Sequence, residues 1–155
     1  MENEMGLGSD HKTSHGQPAD ILLVEDDPHD AEMTLAALRE CGLAHRVEHV
    51  NDGPEALDYI FAPKQSPTLP KLILLDLNLK KMGGLHVLRQ LKADERVRAV
   101  PVVVLSGSKT AIEVLSSYKL GVNSFVIKPM EGKKFAATVA AIGHYWLAIN
   151  ELPQG

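Results

Sequence analysis

A small set of polar groups stands directly behind short apolar runs: Glu25 and Asp26 after ILLV, Asp76 after LILL, Ser106 at the end of VPVVVLS and Lys128 after SFVI. Carboxylates gathered at one edge of a fold repel, and each raises the pKa of the next unless a cation lies between them. A hard divalent ion such as Mg2+ answers that need, because it takes oxygen ligands in octahedral geometry and keeps waters that phosphate oxygens can replace. Lys128 adds a positive charge and Ser106 a hydroxyl donor, both suited to the oxygens of a phosphoryl group. The chemistry these residue types point to is attachment of a phosphoryl group to a carboxylate. Singly, each has a plainer reading: Asp26 or Asp27 as a helix cap, Ser106 as a turn residue, Lys128 as a solvated charge. Their shared position at the ends of different runs is what argues for a site.

The runs predict the elements that hold these groups. Ile21 to Val24, Leu72 to Leu75, Val100 to Leu105 and Ser124 to Ile127 are continuous and apolar, as strands covered on both faces require. Arg46 to Val50 alternates polar and apolar residues and reads as an edge strand. Helix signatures lie between. Asp27-Pro28 offers a carboxylate cap with proline in the first turn, and Cys41-Gly42 closes that helix. Asp52-Gly53-Pro54 starts the next, and 62–71, rich in proline, is a long loop. Gly84 to Ala93, Lys109 to Leu120 and Glu131 to Ile149 complete the set. Five repeats of strand then helix predict an α/β fold: a five-stranded parallel, doubly wound, flavodoxin-like sheet with helices on both faces. In such sheets ligands bind beyond the carboxyl ends of the strands, which is where the polar groups fall.

Length and composition narrow the function classes. The 155 residues carry 20 acidic against 16 basic side chains, net charge -4, and a single cysteine, Cys41. That balance gives no basic footprint for direct nucleic-acid binding, and one cysteine excludes a disulfide framework and a thiolate zinc cluster. No run approaches the ~20 apolar residues of a membrane helix, and no signal segment is visible, so a cytoplasmic setting is expected. Residues 1–19 are polar and aperiodic and read as a disordered tail, 20–149 as one domain and 150–155 as a C-terminal extension. His29, His45, His49, His86 and His144 show no metal spacing, and His11 and His15 lie in the tail.

VEDDP at Val24 to Pro28, LILLDLNL at Leu72 to Leu79, VVVLSGS at Val102 to Ser108 and FVIKP at Phe125 to Pro129 together resemble the receiver domain of two-component response regulators. The resemblance implies that Asp76 accepts a phosphoryl group from the phosphohistidine of a sensor histidine kinase. It implies that Glu25, Asp26, Asp76 and the backbone carbonyl of Asn78 hold Mg2+, that Ser106 and Lys128 contact the phosphoryl group, and that Ser106 with Phe125 forms the switch. By the same analogy the Lys128-Pro129 bond is expected to be cis. Asp27 matches no metal position and reads as the helix cap. Where many members continue with proline and aspartate after the acceptor, this chain has Lys80 and Gly83, so a looser loop and a weaker cap on the next helix are expected.

Readout is expected through protein contacts, since no output domain follows. Phe135, Val139, Ile142, Trp146 and Ile149 make one stripe on the last helix, and its far end is hard to bury at home. Tyr145, Trp146, Ile149 and Leu152 are therefore candidate contacts of a homodimer. The Tyr-Trp-Leu segment, its Asn-Glu-Leu-Pro continuation and the Pro-rich loop are similar to single-domain regulators paired with bacterial phytochromes, which implies a light-sensing kinase as partner. Two other readings compete. One is a Mg2+-dependent phosphatase using an aspartyl nucleophile, disfavoured because Asn78 stands where such enzymes need a second acid. The other is a receiver-like binding module that is never phosphorylated, disfavoured by the complete set of Glu25, Asp26, Asp76, Ser106 and Lys128.

Overall fold

The computed structural model describes residues 19–42, 46–62, 69–108 and 110–153. The expected tail, apart from its last residue Ala19, and the centre of the Pro-rich loop lie outside them. Ala19 itself is buried. In chain order the elements are β1 (Ile21–Val24), α1 (Pro28–Cys41), β2 (Val47–Val50), α2 (Gly53–Phe61), β3 (Leu72–Leu75), α3 (Gly84–Ala93), β4 (Val102–Ser106), α4 (Ala111–Lys119), β5 (Ser124–Ile127) and α5 (Gly132–His144). All five strands pair in parallel in the order β2-β1-β3-β4-β5. Strand order reverses between β1 and β3, and the loops after these two strands open the crevice in which such sheets bind ligands.

The unbroken apolar runs divide between two cores. Leu22, Val24, Ile73, Leu75, Val102 and Val104 face Ala56 and Ile60 of α2 and Val87, Leu88 and Leu91 of α3. Their neighbours Ile21, Leu23, Leu72, Leu74, Val103 and Leu105 face Ala31 and Leu38 of α1 and Phe135, Val139 and Ile142 of α5. Side chains alternate across a strand, so a run without polar interruption feeds both layers at once. Each fully buried Leu or Ile contributes about 1.5–3 kcal/mol. None of the helices among the described residues is long and apolar enough to cross a membrane.

Capping follows the residues that predict it. Asp27 starts α1 by accepting from the amides of His29 and Asp30, at 2.9 and 3.2 Å, and Gly42 ends it in the left-handed region at φ 70°. Asp52 accepts from the Glu55 amide at 2.8 Å while the Glu55 carboxylate reaches back to the Asn51 amide at 2.7 Å, a reciprocal arrangement that satisfies two free donors. The weak start expected for α3 is present: Gly83 caps it with no side-chain hydrogen bond. Just before it, Met82 takes φ 57°, a conformation costly for a residue with a Cβ.

Three details depart from the expectation. SFVI, read as buried on both faces, is an edge strand whose residues are half-buried, with Ile127 exposed; the sheet order puts β5 at the border, where no further strand covers it. The last helix does not run regularly to Ile149: after His144 it widens into a π-helical turn, Tyr145–Ile149, closed by the Asn150 amide on the Tyr145 carbonyl at 2.6 Å. The Lys128-Pro129 bond is trans, and the long lysine stem reaches the site without the expected isomer.

Candidate functional site

The carboxyl ends of β1, β3 and β5 deliver the charged groups to one place. Glu25 follows β1 directly and is held by its amide on the Val50 carbonyl at 3.1 Å, while His49 on β2 lies 2.8 Å from the Glu25 carbonyl. Asp76 follows β3 in the same way, its amide bonded to the Val24 carbonyl at 3.1 Å. Lys128 follows β5, and its amide donates to the Ser106 carbonyl at 2.8 Å. Neighbouring strand ends thus hold one another in register, and the side chains converge as a result.

Glu25, Asp26 and Asp76 each offer a carboxylate oxygen within 4.8 Å of the other two. Glu25 and Asp76 are buried and Asp26 is half-buried. Lys128 Nζ lies 2.8 Å from Glu25 Oε1, 2.8 Å from Asp30 Oδ2 and 3.7 Å from Asp76 Oδ2. Three carboxylates therefore share one ammonium, with Asp26 beside them, and the all-oxygen cluster of Glu25, Asp26 and Asp76 suits a hard dication. Burial, with the negative charge of Asp76 adding to it, raises the Glu25 carboxyl to about 7 despite the lysine beside it. Burial works against the charge of Lys128 too, but hydrogen bonds to Asp30 and Glu25 and the nearby Asp76 outweigh it and raise its pKa.

The loop after β3 is folded onto the site by its own polar groups. The Asn78 amide donates to Asp76 Oδ1 at 3.2 Å, and the Lys80 amide donates to Asp26 Oδ2 at 2.9 Å. Lys80 contributes through its backbone, which proline in its place would not allow. A Cβ on Gly84 would overlap the Asp76 carbonyl and Leu77 Cα, so only glycine lets α3 approach the loop this closely. Ser106 is fully buried; its Oγ accepts from the Ser108 amide at 3.1 Å and lies 3.5 Å from Asn78 Nδ2. Phe125 pairs with Val104 across β4 and β5 and packs, half-buried, on the core beneath α2 and α3.

Glu25, Asp26, Asp76, Asn78, Ser106 and Lys128 are thus brought together, while Tyr145, Trp146, Ile149 and Leu152 lie apart at the end of α5. There Trp146 packs on the core beneath α1 and α5, and Tyr145 meets it edge-on with ring centroids 5.1 Å apart. Tyr145 and Ile149 are exposed, 46% and 61%, and Leu152 is half-buried. Asp30 was not expected at the site from the sequence. An acidic residue in the first turn of a helix that begins at the carboxyl end of a strand already sits at the ligand-binding edge, and that placement was the available signal.

Residues 21–140 match the family model of the response regulator receiver domain. The chain is 40% identical over 149 residues to the probable methanogenesis regulatory protein FilR2 of Methanothrix harundinacea, covering 96% of each. The phosphorylated cyanobacterial phytochrome response regulator RcpA superposes with a TM-score of 0.82 at 36% identity, over 89% of this chain and all of that one. The Mn2+-bound form of response regulator Rcp1 gives 0.80 at 34%, over 86% and 98%. The bacteriophytochrome response regulator RtBRR gives 0.68 at 44%, over 90% and 85%. A parallel sheet in the order β2-β1-β3-β4-β5, an acidic cluster with a lysine at its carboxyl edge and these matches agree, and the chain belongs to the response regulator receiver family of two-component signalling, similar to the regulators of phytochromes.

Proposed function

We propose that Asp76 is the phospho-accepting residue, charged by a sensor histidine kinase in the presence of Mg2+. The observation that carries this reading is the convergence of Glu25, Asp26 and Asp76 within 4.8 Å, with Lys128 alongside. Glu25, Asp26, Asp76 and the Asn78 backbone carbonyl would hold the ion, whose chemistry there would be charge neutralisation. An oxygen of Asp76 forms the O–P bond while the P–N bond of the phosphohistidine, whose other ring nitrogen carries a proton, breaks and neutral imidazole leaves. The chain's own residues provide positioning: Lys128 meets one phosphoryl oxygen with its ammonium and Ser106 another with its hydroxyl, and no general base is required. In this sense the receiver catalyses its own modification, and its reversal, without turning over a separate substrate.

Ser106 drawn to the phosphoryl group leaves space into which Phe125 moves, a shift between two populated packings. Phenylalanine carries no hydroxyl, so the readout is apolar. Tyr145, Trp146, Ile149 and Leu152 form the contacts of a homodimer. The similarity to RcpA and RtBRR favours a phytochrome-type kinase as the partner, and the net charge of -4 favours protein rather than nucleic-acid targets. The half-buried thiol of Cys41 accords with a reducing cytoplasm. Incubation with a small phosphodonor and Mg2+, followed by intact mass, tests the reading: one phosphoryl increment is expected. Steady turnover of phosphate esters would place the protein with phosphatases, and no increment would place it with binding modules.

A further inference from the structure

Lys128 has two hydrogen-bonded partners of different standing. Its ammonium offers three N–H donors; Glu25 Oε1 and Asp30 Oδ2 each lie 2.8 Å away, whereas Asp76 Oδ2 is at 3.7 Å. Glu25 belongs to the cluster able to hold a metal, and Asp30 does not. A metal there would share Glu25 with the lysine, whereas among the described residues the Asp30 carboxylate pairs with the lysine and lies outside the metal cluster. The backbone of Asp30 is fixed at both its amide and its carbonyl. The Asp27 cap accepts from its amide at 3.2 Å, and its carbonyl accepts from the hydroxyl of fully buried Thr34 at 2.8 Å. It stands in the first turn of the 14-residue helix α1, where the helix dipole favours a carboxylate.

We infer that Asp30 is a positioning residue that holds the Lys128 ammonium at the phosphoryl site when the metal occupies Glu25. The inference rests on the proposed role of Lys128 as a phosphoryl contact. A lysine stem is flexible and its ammonium strongly hydrated, so once a metal competes for Glu25, loss of Asp30 leaves the ammonium without its remaining hydrogen-bonded carboxylate and less well aligned beside Asp76. Binding of the metal is left to residues that Asp30 does not join, whereas alignment of the phosphoryl group is lost.

Phosphoramidate is the probe. An Asp76 oxygen forms the O–P bond, the P–N bond breaks, and the already protonated nitrogen leaves as ammonia, so no co-reactant is needed. Uptake is followed by intact mass at saturating Mg2+ and donor, and Mg2+ affinity is measured separately by calorimetry. For Asp30→Asn the uptake rate is expected to fall about tenfold while the Mg2+ dissociation constant stays within about threefold. Asp30→Glu, which restores the charge, is expected to regain most of the rate. Uptake by Asp30→Asn at the wild-type rate or faster overturns the inference. So does a loss of rate matched by a loss of Mg2+ affinity that Asp30→Glu fails to relieve, because that marks a structural role. Failure of the wild-type chain itself to take up phosphate overturns the reading of the site on which the inference stands.

Discussion

Glu25 Oε1 and Lys128 Nζ lie 2.8 Å apart although 103 residues separate them in the chain. The pair closes the sheet's carboxyl edge from β1 to β5, and it is buried, with side-chain exposures of 3% and 11%. Removing Lys128 takes away the cation that Glu25, Asp30 and Asp76 share. Lys128→Ala is expected to destabilise the metal-free protein by roughly 3 kcal/mol, and Mg2+ to return part of that. Urea unfolding with and without the ion measures both; a variant as stable as wild type in the absence of metal contradicts the arrangement.

The raised carboxyl of Glu25 sets a pH dependence with a definite sign. Its ordinary value is 4.5 and its folded value about 7. Between these limits the folded, metal-free protein keeps a proton that the unfolded chain has released, so stability falls as pH rises through the window and levels above it. At about 1.4 kcal/mol per pH unit the fall is at most about 3 kcal/mol. Bound Mg2+ displaces that proton, and its affinity is expected to rise with pH over the same range. Denaturation on either side of the window, with Glu25→Gln as the control that loses the slope, decides it. An unchanged slope in that variant assigns the effect elsewhere.

Gly84 governs how closely α3 approaches the acceptor loop. Gly84→Ala places a methyl against the Asp76 carbonyl and Leu77 Cα, backbone atoms that cannot rotate away. A cost of about 1–3 kcal/mol is expected, with weakened Mg2+ binding because Asp76 shifts with its backbone. Retention of both stability and affinity would show that the loop yields freely.

The legible parts of this chain and the hidden ones have different physical origins. ILLV and LILL read correctly because a strand feeding two cores tolerates no polar residue. SFVI has the same look yet lies at the sheet edge; an apolar run does not disclose which side lacks a neighbouring strand. The stripe from Phe135 to Ile142 was legible as core, and the exposure of Ile149 agrees with the excess of apolar residues beyond it. The π-helical turn was not legible, since a helix-period pattern cannot register a change of hydrogen-bond partner from one turn to the next. Asp26, Asp76 and Lys128 were visible as strand-end residues. Asp30 was hidden because one turn into a helix an aspartate has an ordinary role at the dipole, and only the fold brings Lys128 to it.

The end of α5 carries a separate prediction. Tyr145 and Ile149 expose apolar surface beside half-buried Trp146, and the proposed homodimer covers it. Truncation after Gly143 is expected to convert a dimer into a monomer, read as a halved mass by light scattering. A truncated chain of unchanged oligomeric state would remove this segment from the interface.

Every proposed role at the carboxyl edge of the sheet depends on Asp76 as the acceptor, and the comparison of wild type with Asp76→Asn tests it most directly. Both are incubated with phosphoramidate and Mg2+ and then analysed by intact mass and by the alkali lability of the phosphate. Asparagine nearly preserves shape but removes the nucleophilic carboxylate. Wild type is expected to gain one labile phosphoryl group and Asp76→Asn none. Equal incorporation in the two proteins would contradict the assignment of Asp76 and, with it, the phosphoryl-contacting roles of Ser106 and Lys128.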